Sequence, residues 1–302
     1  MPDPVLEIDA ISKRYGSVVA VNELSLDVRS GELLGFVGRN GAGKTTTMRI
    51  VLGVLEPDAG AVRWQGVPLD LSSRRRIGYM PEARGLYPKM RLSEQLTYLG
   101  KIHGLSHSAA KASAQDWLER FGLADRSRAE LSSLSQGNQQ RMQLAAALVF
   151  APDILVLDEP FASLDPVATD LMSAVLRERS DAGVAVVFSS HELDLVERLC
   201  DRVAIIEGGK IIAAGSVAQL RAGGPRRLWV DAPDAPDNWP NTLPGVRALE
   251  RRGTRRLLEL APEVDDQAIL RAAQATGPVR EFAPAAASLG EIFRAAIEEE
   301  RP

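Results

Sequence analysis

The sequence predicts an α/β fold followed by a small α+β domain, and three observations lead to this prediction. Strand-like and helix-like segments alternate over residues 1–222, "DILVLDEP" (153–160) is apolar up to its acidic end, and the composition changes near Gly223. Alternating strands and helices favour a largely parallel sheet that is covered by helices. A continuous apolar run is typical of a parallel strand buried on both faces.

The first half of the predicted core contains short strands and one helix. The segments "VLEIDA" (5–10), "LSLDVRS" (24–30) and "ELLGFVG" (32–38) are predicted strands, with turns at Gly16 and at Ser30–Gly31. The run 43–55 is a predicted helix that ends near Gly53 and Pro57. "AVRWQG" (61–66) and "RIGYM" (76–80) return to the strand pattern.

The second half begins with a helical insertion over about residues 86–150, rich in Ala, Leu, Gln and Lys. After the strand 153–160 come a helix (167–183), a strand (184–191), a helix (192–200) and a hairpin (202–215). Residues 223–302 are the predicted accessory domain, with a hairpin around Gly253–Thr254 and helices near 267–274 and 289–300. Ser288 and Glu291 have the spacing of a capping box before the last helix.

Composition restricts the class of protein. The chain has 302 residues, 45% of them hydrophobic and 25% charged, as in ordinary globular proteins. A net charge of -4 gives none of the basic excess typical of nucleic-acid binders. Cys200 is the only cysteine, which excludes an intramolecular disulfide and fits a reducing cytosol with a buried thiol. The longest apolar run, "LAAALVFA" (144–151), is too short for a membrane span, and no signal-peptide pattern begins the chain. If the protein works at a membrane, we expect another chain to supply the membrane part.

One motif predicts nucleotide binding. "GRNGAGKTT" matches G-x-x-x-x-G-K-[ST], and it lies between a predicted strand and a predicted helix, which is the context that the motif requires. Its main-chain N–H groups and the helix N-terminus would surround phosphate oxygens. The lysine would reach the β- and γ-phosphates of ATP, and the first threonine hydroxyl would bind Mg²⁺. The motif comprises Gly38, Arg39, Asn40, Gly41, Ala42, Gly43, Lys44, Thr45 and Thr46.

Two acidic residues complete the predicted site. Asp158 and Glu159 end the buried strand, and the carboxyl ends of strands in open α/β sheets are where ligands bind. Asp158 would hold the magnesium ion through water. Glu159 would act as general base and polarise an attacking water.

Two further side chains are candidates by position. His191 follows the strand 184–190 and should emerge at the same sheet edge, where it could hydrogen-bond the γ-phosphate and the attacking water. Tyr15 precedes the turn at Gly16 and could stack on adenine. Neither His103 nor His107 in the helical insertion is assigned a role.

The stretch "LSQGNQQ" (134–140) has the features of a second anion site without a lysine. Ser135 and Gly137 lie at the start of a helix, where a hydroxyl and free N–H groups could bind a γ-phosphate. The alternative is an ordinary helix N-terminus capped by serine. A phosphate loop does not easily fold back onto this stretch within one compact core, so the economical interpretation is that it serves a second copy's phosphate.

Together these segments resemble the nucleotide-binding subunit of ABC transporters, over about Val5 to Leu220. The phosphate loop, "ILVLDEP", "ASLD" (162–165) and His191 carry the resemblance, and "LSQGNQQ" stands where that family has its signature. The resemblance implies a head-to-tail dimer holding two ATP molecules, each covered by the other subunit's signature, with Asp165 organising the contact between the sites. "IGYMPEARGLYPKM" (77–90) and the C-terminal appendage look like the subset that includes bacterial sodium and drug exporters.

The sequence departs from the family pattern in two places. Gln136 and Asn138 replace the usual glycine and glutamine of the signature, while Ser135 and Gly137 remain. Glu82 occupies the loop position where the family usually offers a glutamine to Mg²⁺. Glu82 retains an oxygen ligand for the metal but adds a negative charge near the γ-phosphate.

The resulting expectation is a cytosolic ATPase subunit on the inner face of the cell membrane. Its partners would be a polytopic permease and a second cassette, either a copy of itself or a paralogue, with no nucleic acid. One alternative is a soluble ABC ATPase acting on ribosomes or DNA, but such proteins usually carry two cassettes or a long coiled coil. Another is a kinase-like enzyme, against which "LSQGNQQ" and "ASLD" argue.

Overall fold

The computed structural model describes residues 4–83, 85–223, 225–285 and 287–299. The chain forms two compact units that meet at Ser216 and Val217. The division lies one short helix before the predicted boundary, because helix α8 (Val217–Ala222) packs against the last helix of the second unit. No helix in the described ranges is long and apolar enough to cross a membrane.

The first unit contains ten strands within its described residues. They are β1 (Pro4–Tyr15), β2 (Val18–Arg29), β3 (Leu33–Gly38), β4 (Ala59–Trp64), β5 (Val67–Pro68), β6 (Ile77–Met80), β7 (Ile154–Leu157), β8 (Ala185–Ser190), β9 (Arg202–Glu207) and β10 (Lys210–Ser216). Its helices are α1 (Lys44–Val51), α2 (Leu71–Arg74), α3 (Leu92–Ile102), α4 (His107–Arg120), α5 (Gln136–Leu148), α6 (Pro166–Asp181) and α7 (Leu193–Leu199).

A six-stranded sheet in the order β10-β9-β3-β8-β7-β6 is the centre of this unit. Its neighbouring strands are parallel, except for the β9–β10 hairpin. Strands β3, β7 and β8 are buried along their whole length, as their continuous apolar sequences predict. Since the parallel strands share one carboxyl edge, the residues that follow β3, β7 and β8 meet there.

A second, antiparallel sheet in the order β2-β1-β4-β5 faces the first. The core between them combines Leu6 and Leu26 of this sheet with Phe36 and Val156 of the parallel sheet, and Met48 of α1 belongs to the same cluster. This packing fixes helix α1, and with it the loop that precedes α1.

The predicted helical insertion is confirmed as three helices, α3 to α5, with two short 3-10 turns between α4 and α5. Ser106 caps α4 by accepting from the Ala109 N–H at 3.2 Å. His103 is half-buried, stacks on Phe150 with ring centroids 3.6 Å apart, and has its Nδ1 2.8 Å from the Arg75 carbonyl oxygen.

The second unit is an antiparallel sheet with helices, in agreement with the predicted α+β class. Its strands are β11 (Arg226–Asp231), β12 (Val246–Arg252), β13 (Arg255–Leu260) and β14 (Glu281–Pro284), and its remaining helices are α9 (Asp266–Gln274) and α10 (Leu289–Glu299). The strand order is β12-β13-β11-β14. The capping box is present, because the Ser288 N–H donates to Glu291 Oε2 at 2.9 Å and the Glu291 N–H donates to Ser288 Oγ at 3.3 Å.

Candidate active site

The loop between β3 and α1 has a shape that only its glycines permit. Gly43 has a φ of 109°, and a Cβ there would lie 2.4 Å from the Ala20 carbonyl oxygen. A Cβ at Gly38 would lie 2.5 Å from the Ile206 carbonyl oxygen. Side chains at either position would clash with main chain that cannot move aside, so the loop packs against β2 and β9 through bare backbone.

Lys44 has a place inside this loop. Its side chain is buried, and Nζ donates to the Gly38 carbonyl at 2.7 Å and to the Arg39 carbonyl at 3.2 Å. A buried ammonium needs such partners, because desolvation of the charge is costly without them. The cation is thereby held where the loop curves around the N-terminus of α1, which also favours an anion.

A cavity of about 310 Å³ opens in front of the loop. It is lined by residues 39–41 and 43–46, by Glu82, Asp158 and Glu159, and by Ala20 of β2. The structure therefore brings together most of the residues that the motifs indicated. Gly38 and Ala42 belong to the loop but do not line the cavity.

Asp158 lies at the floor of the cavity, almost completely buried. Its Oδ2 accepts from Thr45 Oγ1 at 2.8 Å, and its Oδ1 accepts from Ser189 Oγ at 2.6 Å. Glu82 lines the same cavity, so hydroxyl and carboxylate oxygens face a common space. Such hard oxygen donors fit Mg²⁺, which is usually held by one or two carboxylates together with substrate phosphates.

Glu159 has an unusual backbone conformation, and its N–H, its carbonyl and its carboxylate each make a hydrogen bond. Its φ is 50°, a left-handed conformation that is strained for a residue with a side chain. Its N–H donates to Ser189 Oγ at 2.8 Å, and its carbonyl accepts from Gln140 Nε2 at 3.1 Å. Its carboxylate Oε2 lies 2.8 Å from His191 Nδ1. Since a carboxylate only accepts, this nitrogen carries the proton.

The strand β6 places Tyr79 near the acidic floor. Burial raises the pKa of Tyr79, and the negative charge of Asp158 raises it further, although Arg49 acts in the opposite direction. The phenol therefore stays protonated at neutral pH beside the carboxylates.

The remaining predicted residues lie outside this cavity. Ser135 is exposed and is the N-cap of α5, with Oγ 3.5 Å from the Asn138 nitrogen, and neither it nor Gly137 lines the cavity. Asp165 caps α6 by accepting from the Ala168 N–H at 2.8 Å. Tyr15 ends β1, is half exposed, and pairs with Val18 of the strand that carries Ala20.

Comparison with known proteins places this site in a family. A family model described as "ABC transporter" matches residues 21–162, and one described as "ATP-binding protein DrrA1-3-like, C-terminal domain" matches residues 215–297. The Bacillus subtilis protein YhaQ, called an uncharacterized ABC transporter ATP-binding protein, is 36% identical, covering 96% of this chain and 97% of its own length.

The chain belongs to the ABC transporter ATP-binding proteins. This confirms the resemblance predicted from the motifs, and with it the ATPase class. The Nod factor export ATP-binding protein I of Paraburkholderia xenovorans is 39% identical over 74% of each chain. A solved structure described as the ATP binding subunit of an ABC transporter is 30% identical, with a TM-score of 0.68 over 72% of this chain and 92% of that one. The ABC ATPase fold is likewise confirmed.

Two polar residues that hold the acidic pair were missed by the sequence analysis. Ser189 bridges the Asp158 carboxylate and the Glu159 backbone, and Gln140 holds the carbonyls of Glu159 and Pro160. A signal for Ser189 was present, because polar residues that end a buried strand next to "LVLDEP" face the same sheet edge. Gln140 gave no such signal, since a glutamine in a helix is usually a surface residue.

Proposed function

We propose that this chain is the ATP-hydrolysing subunit of an exporter, in which ATP closes a dimer of cassettes and so drives a separate membrane subunit. The observation that carries this proposal is the setting of Glu159, whose carboxylate faces the phosphate-loop cavity and accepts from His191. A strained backbone that is held at both its N–H and its carbonyl is typical of a functional residue.

In the proposed reaction, Glu159 takes a proton from water as the water oxygen attacks the γ-phosphorus of ATP. The bond from this phosphorus to the β,γ-bridging oxygen breaks, and ADP and phosphate leave. His191 orients the carboxylate through Nδ1 and would reach the γ-phosphate. Lys44 would exchange its loop carbonyls for the β- and γ-phosphates.

Magnesium would be held at the cavity floor by Thr45, by Asp158 through water, and by Glu82. The ion would neutralise charge on the phosphate oxygens. The Thr45–Asp158 hydrogen bond of 2.8 Å supports this assignment, because it already places two oxygen donors side by side. Tyr15 would stack on adenine at the edge of the cavity.

A second cassette would complete the site. Ser135 and Gly137 lie outside the cavity of their own chain, at the exposed start of α5. They would cover the γ-phosphate bound by the opposite subunit, either a second copy of this chain or a paralogue, with Asp165 at the contact. The chain would lie on the inner face of the cell membrane through a permease partner. The export direction is supported by the relative named for Nod factor export.

The test is the substitution Glu159→Gln, which keeps the side-chain shape and removes the base. ATP binding should persist, turnover should fall by a factor of about 100 or more, and ATP should hold the protein as a dimer in size-exclusion chromatography. Asp116→Asn is the matched control, since it neutralises an exposed carboxylate on α4. Turnover close to that of the unmodified protein would reject Glu159 as the base.

Sharing of sites between subunits has its own test. Lys44→Ala and Ser135→Arg should each inactivate the protein when every subunit carries them. A mixed dimer of the two has one site with both lesions and one intact site, so mixing should restore part of the turnover. Mixed dimers that form and stay inactive would contradict the shared site.

A further inference from the structure

Two glutamines on one face of α5 form a chain of amide hydrogen bonds beside the proposed active site. The Gly85 N–H donates to Gln143 Oε1 at 3.4 Å, and Gln143 Nε2 donates to Gln140 Oε1 at 3.2 Å. Gln140 Nε2 then donates to the Glu159 carbonyl at 3.1 Å and to the Pro160 carbonyl at 3.0 Å. The chain connects the loop after β6, which carries Glu82, with the backbone of the proposed base.

The direction of this chain is fixed by its ends. A main-chain N–H can only donate and a carbonyl can only accept, so each glutamine must present its oxygen towards Gly85 and its nitrogen towards Glu159. Reversing either amide would place two donors or two acceptors against each other. Gln143 is also buried, so competition from solvent for these bonds is limited.

We propose that Gln140 and Gln143 are positioning residues that couple the Glu82 loop to the backbone of Glu159. The inference rests on the proposed role of Glu159 as the base. The left-handed backbone at Glu159 is strained, and it is held at the N–H by Ser189 and at the carbonyl by Gln140. The loop that carries Glu82 and the backbone of the proposed base are therefore connected through the same two side chains.

A second cavity next to the two glutamines leaves space for their side chains to move. A cavity of about 160 Å³ is lined by Glu82, Gln140 and Gln143 together with Ala162 and Ser163, which follow Glu159. Gln139 on the same helix has a different task, because its Nε2 donates to the Leu131 and Leu134 carbonyls and so anchors the start of α5. A displacement of the loop at Gly85 would pass through the two amides to Glu159.

Hydrogen exchange in the nucleotide-free protein tests the coupling without any turnover. Two segments report it: residues 81–87, which contain the Gly85 N–H, and residues 159–164, where the Ala162 N–H donates to the Glu159 carbonyl at 3.2 Å. Gln140→Met keeps the length of the side chain and removes its polar atoms. The hydrogen bonds that Gln140 makes reach Gln143 and the carbonyls of residues 159 and 160, and none of them reaches segment 81–87. The coupling nevertheless predicts that the substitution speeds exchange in segment 81–87 as well as in segment 159–164.

Gln143→Glu separates the two ends of the chain. It keeps an acceptor for the Gly85 N–H but loses the donor to Gln140, so segment 159–164 should exchange faster while segment 81–87 stays protected. Gln115→Met is the control, because it removes an exposed glutamine on α4 whose Nε2 donates to Glu119 of the same helix at 3.0 Å. Faster exchange confined to the segment that each substituted residue contacts would overturn the coupling.

Measurements of kcat and KM for ATP hydrolysis then test whether the coupling positions Glu159 for catalysis. Gln140→Met and Gln143→Met should lower kcat about tenfold or more, since small misplacements of a reacting group are costly, with KM for ATP within about twofold. Combined with Glu159→Gln, neither should lower the residual rate further. A full additional loss in that background would overturn the positioning role. If Glu159→Gln alone were fully active, the proposed base would fail while the exchange data would still decide the coupling.

Discussion

Ser189→Ala removes the hydroxyl that joins the two acidic residues of the site. Ser189 has no exposed surface, and its Oγ donates to Asp158 Oδ1 at 2.6 Å and accepts from the Glu159 N–H at 2.8 Å. The substitution leaves a carboxylate oxygen and a main-chain N–H without this partner. Each buried polar group left unsatisfied costs about 1–3 kcal/mol, so the free energy of unfolding should fall by about 2–6 kcal/mol.

Ser180→Ala is the matched control. Ser180 is equally buried, but within the described residues its Oγ makes one bond, donating to the Gly31 carbonyl at 2.8 Å near the amino end of β3, away from the phosphate loop. Its loss should cost about half as much, roughly 1–3 kcal/mol. Thermal unfolding measures both, and about 2–4 °C per kcal/mol is expected for a unit of this size.

Turnover distinguishes the two serines further. Ser189→Ala releases the backbone of Glu159 and one side of Asp158, so ATP hydrolysis at a temperature well below unfolding should fall by a factor of about 10 or more. Ser180→Ala should stay within about twofold. Equal losses of stability and unchanged turnover in both variants would refute the view that Ser189 holds the acidic pair.

Three further predictions use single sites. If Glu82 ligates magnesium, the apparent Mg²⁺ affinity during turnover should decrease from the unmodified protein to Glu82→Gln to Glu82→Ala, and equal magnesium dependence in all three would exclude that role. Burial raises the pKa of the Cys200 thiol, so iodoacetamide should label it only as fast as the protein unfolds, and rapid labelling of the folded protein would contradict this. The Ser73 N–H and the hydroxyls of Ser73 and Ser72 lower the pKa of Asp70 to about 2 from its ordinary 3.8. The stabilisation is therefore complete above the unfolded pKa and lost as pH falls towards 2, so the gap in denaturation midpoint between the unmodified protein and Asp70→Ala should shrink over that range, and a constant gap would contradict it.

The parts of the fold that sequence could predict are those set by local patterns. The phosphate loop lies between a strand and a helix by its own glycines and apolar residues, and the strands β7 and β8 follow from uninterrupted apolar runs. The contact between Asp158 and Ser189 is different in kind. It depends on β8 lying beside β7 in a register that pairs Leu157 with Phe188, and this register is a property of the assembled sheet.

The same limit explains the omissions in the second unit and in α5. Strand β14 has only four residues, too few for a pattern to stand out, and β11 comes directly after the change of composition near Gly223, where no strand was predicted. Gln140 finds its acceptors 19 and 20 residues further along the chain, after the whole of β7. The helical period shows that Gln140 and Gln143 lie on one face of α5, but it cannot show which parts of the fold pack against that face.

The division at Ser216 and Val217 bears on how such chains could diversify. Over the part of the chain that the structure describes, the sheet β12-β13-β11-β14 takes no strand from the first unit, and the first two sheets take none from the second. A recombination event at this junction would therefore cut no ladder of interstrand hydrogen bonds and expose no new sheet edge. The appendage can be inherited, replaced or lost as a module, while the ATPase keeps every strand that shapes its phosphate loop.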